Sequence, residues 1–268
     1  MSRVSLQNPI ASLEQLAETP SRKDGISEQL EDDLRSFGCE LIQSAGILLN
    51  LPQVAMATAQ VLFQRFFYLA SLKDFGIIEI GMGALFLSAK VEESFVRMTY
   101  LITVYDHLLR RIQQQSTHTP LDAFSQRAYS LKSMVTTSEM QILKRLGFNV
   151  HVQLPYGTMI NYLRILGLEE HDTVPKKAWN YLNDALRTHV YTNYTMPTIA
   201  CGAIWLACRD QQVKLPTTPG GEWWLLFDAQ PSEFQNVAAH IQRLYHRKLD
   251  RQQLLSHLSD TEATLRNS

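Results

Sequence analysis

Two segments, Ile80–Lys90 (IGMGALFLSAK) and Ile199–Arg209 (IACGAIWLACR), repeat one another along the chain and decide its fold. Aligned without gaps, they share Ile, Gly, Ala and Leu, keep a bulky aromatic at Phe86 and Trp205, and both end in a cation. A glycine inside a helix costs about 1 kcal/mol relative to alanine, so such glycines need a structural reason. Because small residues let neighbouring helices approach closely, we interpret each segment as the central helix of its own bundle.

The flanking segments repeat as well, which argues against the alternative that two apolar helices are similar by chance. Pro52–Ala70 precedes the first central segment and Val174–Val190 precedes the second. Phe234–Tyr245 follows the second central segment much as Ser138–Leu146 follows the first. Few stretches alternate as strands do, so the chain is predicted to be all-α.

The repeat predicts two tandem helical domains. We place them at residues 26–151 and 152–250, with a polar, Pro/Gly-punctuated linker over residues 1–25 and a polar tail over residues 251–268.

Two helices of the first domain have a clear apolar stripe. Between Pro52 and Ala70 the stripe is expected to be buried, and Pro52 is expected in the first helical turn. Between Ser125 and Leu146 a second stripe runs, and Gly147 is placed to end that helix. The two stripes comprise Val54, Thr58, Val61, Leu62, Phe66 and Leu69, and then Leu131, Val135, Ile142 and Leu146.

Composition narrows the class of protein. The 268 residues are 45% hydrophobic, enough for sizeable cores, and the net charge of -1 argues against a broad nucleic-acid-binding face. Cys39, Cys201 and Cys208 form no CxxC pair, and we interpret them as buried thiols rather than redox groups. With no signal-type N-terminus and no apolar run of roughly 20 residues, we expect a soluble intracellular protein without a membrane partner.

No arrangement of residues predicts catalysis. The Gly81-x-Gly83 pair begins like a dinucleotide-binding motif, but Phe86 occupies its third position, so helix packing is the preferred interpretation. The acidic run at Glu31–Ser36 resembles a metal motif, yet complementing a helix dipole is the simpler account. The histidines are scattered, and the short basic runs at Arg110–Arg111 and at residues 246–251 are typical of a solvated face. We therefore expect no catalytic site, no metal and no cofactor, and favour a regulatory or binding module over an enzyme.

Longer stretches resemble one family closely. Tandem helical repeats, with the K-x-E-E sequence of Lys90–Glu93 closing the third helix of the first repeat, resemble the cyclin family. The match is most specific to cyclin L, with cyclins K and T as near relatives. The similar stretches are TPSRKDGIS (Thr19–Ser27), LIQSAGILLNLPQVAMATAQVLFQRFF (Leu41–Phe67), WNYLNDALRTHVY (Trp179–Tyr191) and TIACGAIWLACR (Thr198–Arg209), while GEWWLLFD (Gly221–Asp228) also resembles a segment of cyclin T.

The resemblance implies two five-helix cyclin boxes, the first of which docks a cyclin-dependent kinase. It places Lys90 and Glu139 together on the kinase-facing surface, with Leu143 and Phe148 as apolar contacts. An internal salt bridge between Lys90 and Glu139 is the alternative interpretation, and both can hold. For the kinase contacts expected at Glu92 and Glu93, a solvated helix end is the alternative. Arg65 matches a basic family residue that can be purely structural.

This chain departs from the family in several places. The helix at Leu34–Gln43 lacks the substrate-docking patch of cell-cycle cyclins, and Gln64 stands where the family often has Asp or His. Ser94–Phe95 replaces a proline-containing segment, which leaves one kinase contact open. The sequence Ser256–Ser268 lacks the Arg/Ser-rich tail of many cyclin L proteins.

The resulting expectation is a nuclear, non-catalytic subunit that activates a cyclin-dependent serine/threonine kinase in RNA polymerase II transcription. Pre-mRNA splicing is a second expected process, and the transcription or splicing machinery a second class of partner. The alternative is a two-cyclin-fold transcription factor resembling factor IIB, or a helical adaptor. Near-neutral charge and the lack of cysteine pairs in residues 1–38 argue against the factor.

Overall fold

The computed structural model describes residues 8–115, 119–215, 222–247 and 250–254. All regular secondary structure within them is helical, which confirms the all-α prediction. Parts of the predicted linker, of the basic run at 246–251 and of the tail at 251–268 lie outside the described residues. The helices are α1 (Leu13–Ala17), α2 (Pro20–Lys23), α3 (Glu28–Leu48), α4 (Gln53–Phe66), α5 (Ile77–Val91), α6 (Met98–Ile112), α7 (Gln126–Arg145), α8 (Tyr156–Ile165), α9 (Val174–Ala185), α10 (Val190–Asn193), α11 (Met196–Asp210), a 3₁₀ helix (Trp223–Phe227) and α12 (Pro231–His246).

The chain forms two compact units, described here separately. The first contains residues 11–152 together with 250–254, and the second contains residues 153–247 together with 8–10. Asn8 joins the second unit through its side chain, which donates to the Gln153 carbonyl at 2.8 Å and accepts from the Gln153 N–H at 2.8 Å.

Helix α5 is the centre of the first unit, as the repeat predicts. Its N-cap residue is Gly76, whose N–H donates to the Glu79 carboxylate at 2.6 Å, and the helix packs against α3, α4, α6 and α7. Its apolar residues Ile80 and Leu85 are fully buried. An all-round apolar helix of this kind needs neighbours on every side, which the five-helix arrangement supplies.

Helix α11 occupies the same position in the second unit, where it packs against α8, α9 and α12. Where α6 follows α5 in the first unit, the described residues between α11 and α12 contain one short 3₁₀ helix, Trp223–Phe227. The sequence suggested a single helix over Val174–Val190, but the structure divides this segment. Helix α9 ends at Ala185, and the one-turn helix α10 begins at Val190.

Matching glycines of the repeat lie at close contacts between helices. A methyl group built on Gly83 would lie 2.7 Å from Ser138 Cβ in α7, and one built on Gly202 would lie 2.6 Å from Val237 Cγ1 in α12. Both distances are shorter than carbon–carbon contact allows, so only glycine fits. The helix-packing interpretation of these glycines is confirmed, and the dinucleotide-binding reading of Gly81-x-Gly83 has no support.

The two striped helices form, with corrections at their ends. Ser125 caps α7, Val135 and Ile142 are fully buried along it, and Gly147 follows it with φ +57°. Helix α4 is shorter than the predicted Pro52–Ala70 at both ends, since Pro52 lies outside it as the N-cap residue and the helix ends at Phe66. The ends of its predicted stripe were wrong: Val54 and Leu69 are 43% and 41% exposed.

Candidate functional site

The close approach at Gly83 also fixes the register between α5 and α7. Its built Cβ would lie 3.0 Å from the Glu139 backbone nitrogen, so the two backbones nearly touch there. Two turns further along α5, Lys90 Nζ donates to both carboxylate oxygens of Glu139, at 2.6 and 2.9 Å. The internal salt bridge between the two helices is therefore present.

The ion pair faces solvent on one side. The Lys90 side chain is 47% exposed and Glu139 is 15% exposed. Lys90 Nζ also lies 4.2 Å from the centroid of the Phe86 ring, one turn back on α5. Exposed ion pairs contribute only about 0–1 kcal/mol, so this bridge orients two charges at a surface rather than holding the fold together.

The two glutamates after Lys90 have different environments. Glu92 ends α5 as its C-cap residue, and its carboxylate accepts from the Thr58 hydroxyl at 2.8 Å, which ties the end of α5 to α4. Glu93 is exposed and has φ +53°, in the left-handed region. Its N–H and that of Ser94 donate to Lys90 and Ala89 carbonyls, closing the helix. Glu92 thus has a structural contact, whereas Glu93 points its charge to solvent.

Leu143 and Phe148 lie on and just after the last turns of α7. Leu143 follows Glu139 by four residues, so the two share a face of the helix, and it packs partly against the core. The Phe148 N–H donates to the Leu143 carbonyl at 2.9 Å, while its ring is 68% exposed. Phe148 has φ +61°, a conformation that costs a bulky residue energy. The fold therefore holds an aromatic ring in solvent in a strained conformation.

Arg65 belongs to the interior rather than to this surface. It is 5% exposed, and its Nη1 donates to the His151 carbonyl at 2.9 Å. Burial lowers the pKa of the guanidinium to about 10. The structural interpretation of Arg65 agrees with these contacts.

Sequence reasoning missed a buried charge network in α3. Glu31 and Arg35 are both fully buried and pair at 3.2 Å, and Glu31 also accepts from the Thr19 hydroxyl at 2.7 Å. Arg35 donates to the Gln64 side chain at 2.8 Å and to its carbonyl at 2.9 Å. The i,i+4 spacing of Glu31 and Arg35 was a detectable signal. The acidic run Glu31–Ser36 therefore contributes a core contact, besides its place at the start of α3.

In the described part of the chain, we find neither a group of metal-ligating side chains nor a reactive thiol. No three His, Cys, Asp or Glu side chains there are grouped as metal ligands would be. Cys201 and Cys208 are buried, and burial raises the pKa of these thiols to about 12 and about 11. Thiols with raised pKa values are poor nucleophiles, which agrees with the structural interpretation. Among the described helices, none is both long and apolar enough to cross a bilayer.

Comparisons with a family model and with curated proteins all point to the same family. The family described as "Cyclin, N-terminal domain" matches residues 10–151. Human Cyclin-L1 is 42% identical over 252 residues, which cover 94% of this chain and 47% of that protein. Human Cyclin-L2 is 41% identical over 245 residues (91% and 46%), and Xenopus laevis Cyclin-L1 is 46% identical over 234 residues (87% and 46%). The chain spans about half the length of the curated relatives it matches.

Solved structures share the fold at low sequence identity. A chain of the crystal structure of the yeast RNA Pol II CTD kinase CTDK-1 complex has a TM-score of 0.72 and 17% identity, covering 94% of this chain and 77% of that one. A chain of the yeast TFIIK (Kin28/Ccl1/Tfb3) complex has a TM-score of 0.56 and 19% identity, covering 87% and 95%.

Proposed function

The chain belongs to the cyclin family, and we propose that it is the activating regulatory subunit of a cyclin-dependent serine/threonine kinase, without a catalytic site of its own. One observation supports this most. The Lys90–Glu139 pair, at the positions that cyclins present to their kinase, is half open to solvent on a surface that also exposes Phe148.

The proposed mechanism is a shift between two states of the kinase. A kinase is active only when the glutamate of its C-helix pairs with the catalytic lysine. A cyclin that binds this helix in its inward position favours the active state by the difference in its affinity for the two states. Shifting the ratio from 1:99 to 99:1 requires about 5.5 kcal/mol of differential binding.

Apolar contacts must provide most of that free energy. An exposed ion pair such as Lys90–Glu139 contributes only about 0–1 kcal/mol. Burying a large apolar side chain contributes roughly 1.5–3 kcal/mol, and Phe148 offers a ring that is 68% exposed before binding. Leu143 adds a half-buried side chain beside it. The charged pair would then set the orientation of the kinase rather than its affinity.

We further propose that the kinase acts in RNA polymerase II transcription, that its substrate is the polymerase C-terminal domain, and that the complex is nuclear. The similarity to Cyclin-L1 and Cyclin-L2 supports the transcription- and splicing-linked branch of the family. The likeness to a chain in an RNA Pol II CTD kinase complex supports this substrate. Pre-mRNA splicing is the second process that we propose on the same grounds.

A kinase-activation assay tests the function and separates the two interpretations of the ion pair. The purified chain is mixed with a panel of cyclin-dependent kinases of the same organism, and phosphorylation of a polymerase C-terminal-domain peptide is measured. Lys90→Glu places two acids together, and Lys90→Glu with Glu139→Lys restores a reversed pair. If the kinase contacts these two charges directly, both variants lose affinity for the kinase. If only the salt bridge within the chain matters, the double variant regains its affinity for the kinase.

A third variant adds Phe148→Asp to the reversed pair and is expected to abolish activation. The matched control reverses another exposed ion pair, Arg164–Glu169 in the second unit, where Arg164 Nε lies 2.8 Å from Glu169 Oε1. This control is expected to activate normally. Absence of kinase binding by the unmodified chain would refute the proposal and favour a factor-IIB-like protein or a helical adaptor.

A further inference from the structure

Phe95 is a large apolar side chain for which the fold provides no packing. It lies in the connector between α5 and α6, and its side chain is 80% exposed. The next residue, Val96, is 7% exposed and belongs to the core of the first unit. Phe95 therefore points outward where its neighbour points inward, and its exposure does not come from a connector that lies away from the protein.

The backbone holds Phe95 in place from both sides. On one side, the Ser94 N–H donates to the Ala89 carbonyl at 2.8 Å, and the Ser94 hydroxyl donates to the Glu92 carbonyl at 3.2 Å. On the other side, buried Val96 fixes the chain before α6 begins at Met98. An aromatic ring on an ordered backbone loses little conformational entropy when a partner covers it, which is the profile of an interface anchor.

Phe95 adjoins the surface assigned above to the kinase. Because the Ser94 N–H bonds back to the last turn of α5, the connector begins beside the turn that carries Lys90. Val91, the residue after Lys90, is itself 37% exposed and adds apolar surface there. Two exposed apolar side chains, Val91 and Phe95, thus follow Lys90 within five residues, in addition to Phe148 after α7.

The charge next to Phe95 defines the partner's chemistry. Glu93 is exposed, and its carboxylate makes no ion pair with any residue that the structure describes. An apolar ring beside an unneutralised carboxylate fits an apolar depression with a cation at its rim. We propose that Phe95 is an anchor of the kinase-binding surface, seated in such a depression on the catalytic subunit, and that it contributes to the choice of kinase. This inference rests on the proposed function.

The test measures the dissociation constant of the chain and the kinase from the panel that it activates. Phe95→Ala is expected to weaken binding about 10- to 30-fold, and Phe95→Leu, which keeps an apolar side chain, considerably less. Phe124→Ala is the matched control, since Phe124 is 83% exposed in another connector. Phe124 precedes α7, and Glu139 lies about 20 Å along that helix from its start. The control is expected to bind within about twofold of the unmodified chain.

Equal binding by Phe95→Ala and Phe124→Ala, with the unmodified chain still activating the kinase, would overturn the role of Phe95 and leave the proposed function intact. A change in self-association of the chain alone, without a change in kinase affinity, would assign Phe95 to contacts between copies and would also overturn it. If the unmodified chain binds no kinase of the panel, the proposed function fails and this inference fails with it. Unchanged thermal unfolding of each variant confirms that only the surface has changed.

Discussion

Replacing Gly83 by alanine is expected to destabilise the first unit, because the added methyl has no room between α5 and α7. It would lie 2.7 Å from Ser138 Cβ and 3.0 Å from the Glu139 nitrogen, where carbon contacts need about 3.5–4.0 Å. The two helices must therefore separate by about 1 Å. Helix propensity favours alanine by about 1 kcal/mol, while overpacking a core costs about 1–3 kcal/mol. The free energy of unfolding should fall by up to about 2 kcal/mol.

Gly157→Ala is the control that isolates the clash. Gly157 lies in α8, and a methyl built on it meets nothing within 4 Å. Both variants gain helix propensity, so the difference between their free energies of unfolding reports the overpacking, about 1–3 kcal/mol. Far-UV circular dichroism follows the helices of both units during thermal unfolding. Tryptophan fluorescence reads the second unit alone, since its four tryptophans are at positions 179, 205, 223 and 224.

The expected result is a lower midpoint by circular dichroism for Gly83→Ala than for Gly157→Ala, by about 4 °C for each kcal/mol. If Gly83→Ala unfolds at or above the temperature of Gly157→Ala, the contact between α5 and α7 is looser than the structure has it. The account of how the register of Lys90 and Glu139 is fixed would then be refuted.

Two further predictions concern buried groups. Burial holds the pKa values of Cys201 and Cys208 at about 12 and about 11 in the folded chain, so above pH 9 the unfolded chain loses protons that the folded chain keeps. Stability should be fully present below pH 9 and fall by up to about 1.4 kcal/mol per pH unit per thiol above it. Urea unfolding of the second unit from pH 7.5 to 10 measures this slope, and Cys201→Ala should reduce it; an unchanged slope would contradict the assignment. Arg35→Met removes one of the two cations that pair with the buried Glu31 carboxylate, leaving Arg22 at 3.2 Å, and should cost up to about 3–5 kcal/mol, whereas Arg164→Met, at an exposed pair, should cost less than about 1 kcal/mol. Equal urea midpoints for these two variants would show that the Glu31–Arg35 pair is not buried in solution.

Much of the fold could be predicted from the spacing of apolar and small residues. The repeated glycines at 83 and 202 predicted two central helices, because the cost of glycine in a helix has to be offset by close packing. The residue types around Lys90 and Glu139 suggested a functional surface through family resemblance. The periodicity of α4 was less informative at its ends, since Val54 and Leu69 fit the apolar stripe but lie beyond the neighbours that would cover them.

The sequence by itself determined the helical class and the tandem repeat, because these depend on local spacing and residue type, while the residues of the charged surface came from the family resemblance. Tertiary structure alone decided which charges are buried and which apolar groups are exposed. Glu31 and Arg35 look solvated in the sequence, yet neighbours far along the chain enclose them. Phe95 looks like core but is exposed, because the turn after α5 directs Val96 inward in its place. Burial depends on which helices meet in space, and sequence spacing specifies only the face that each helix offers.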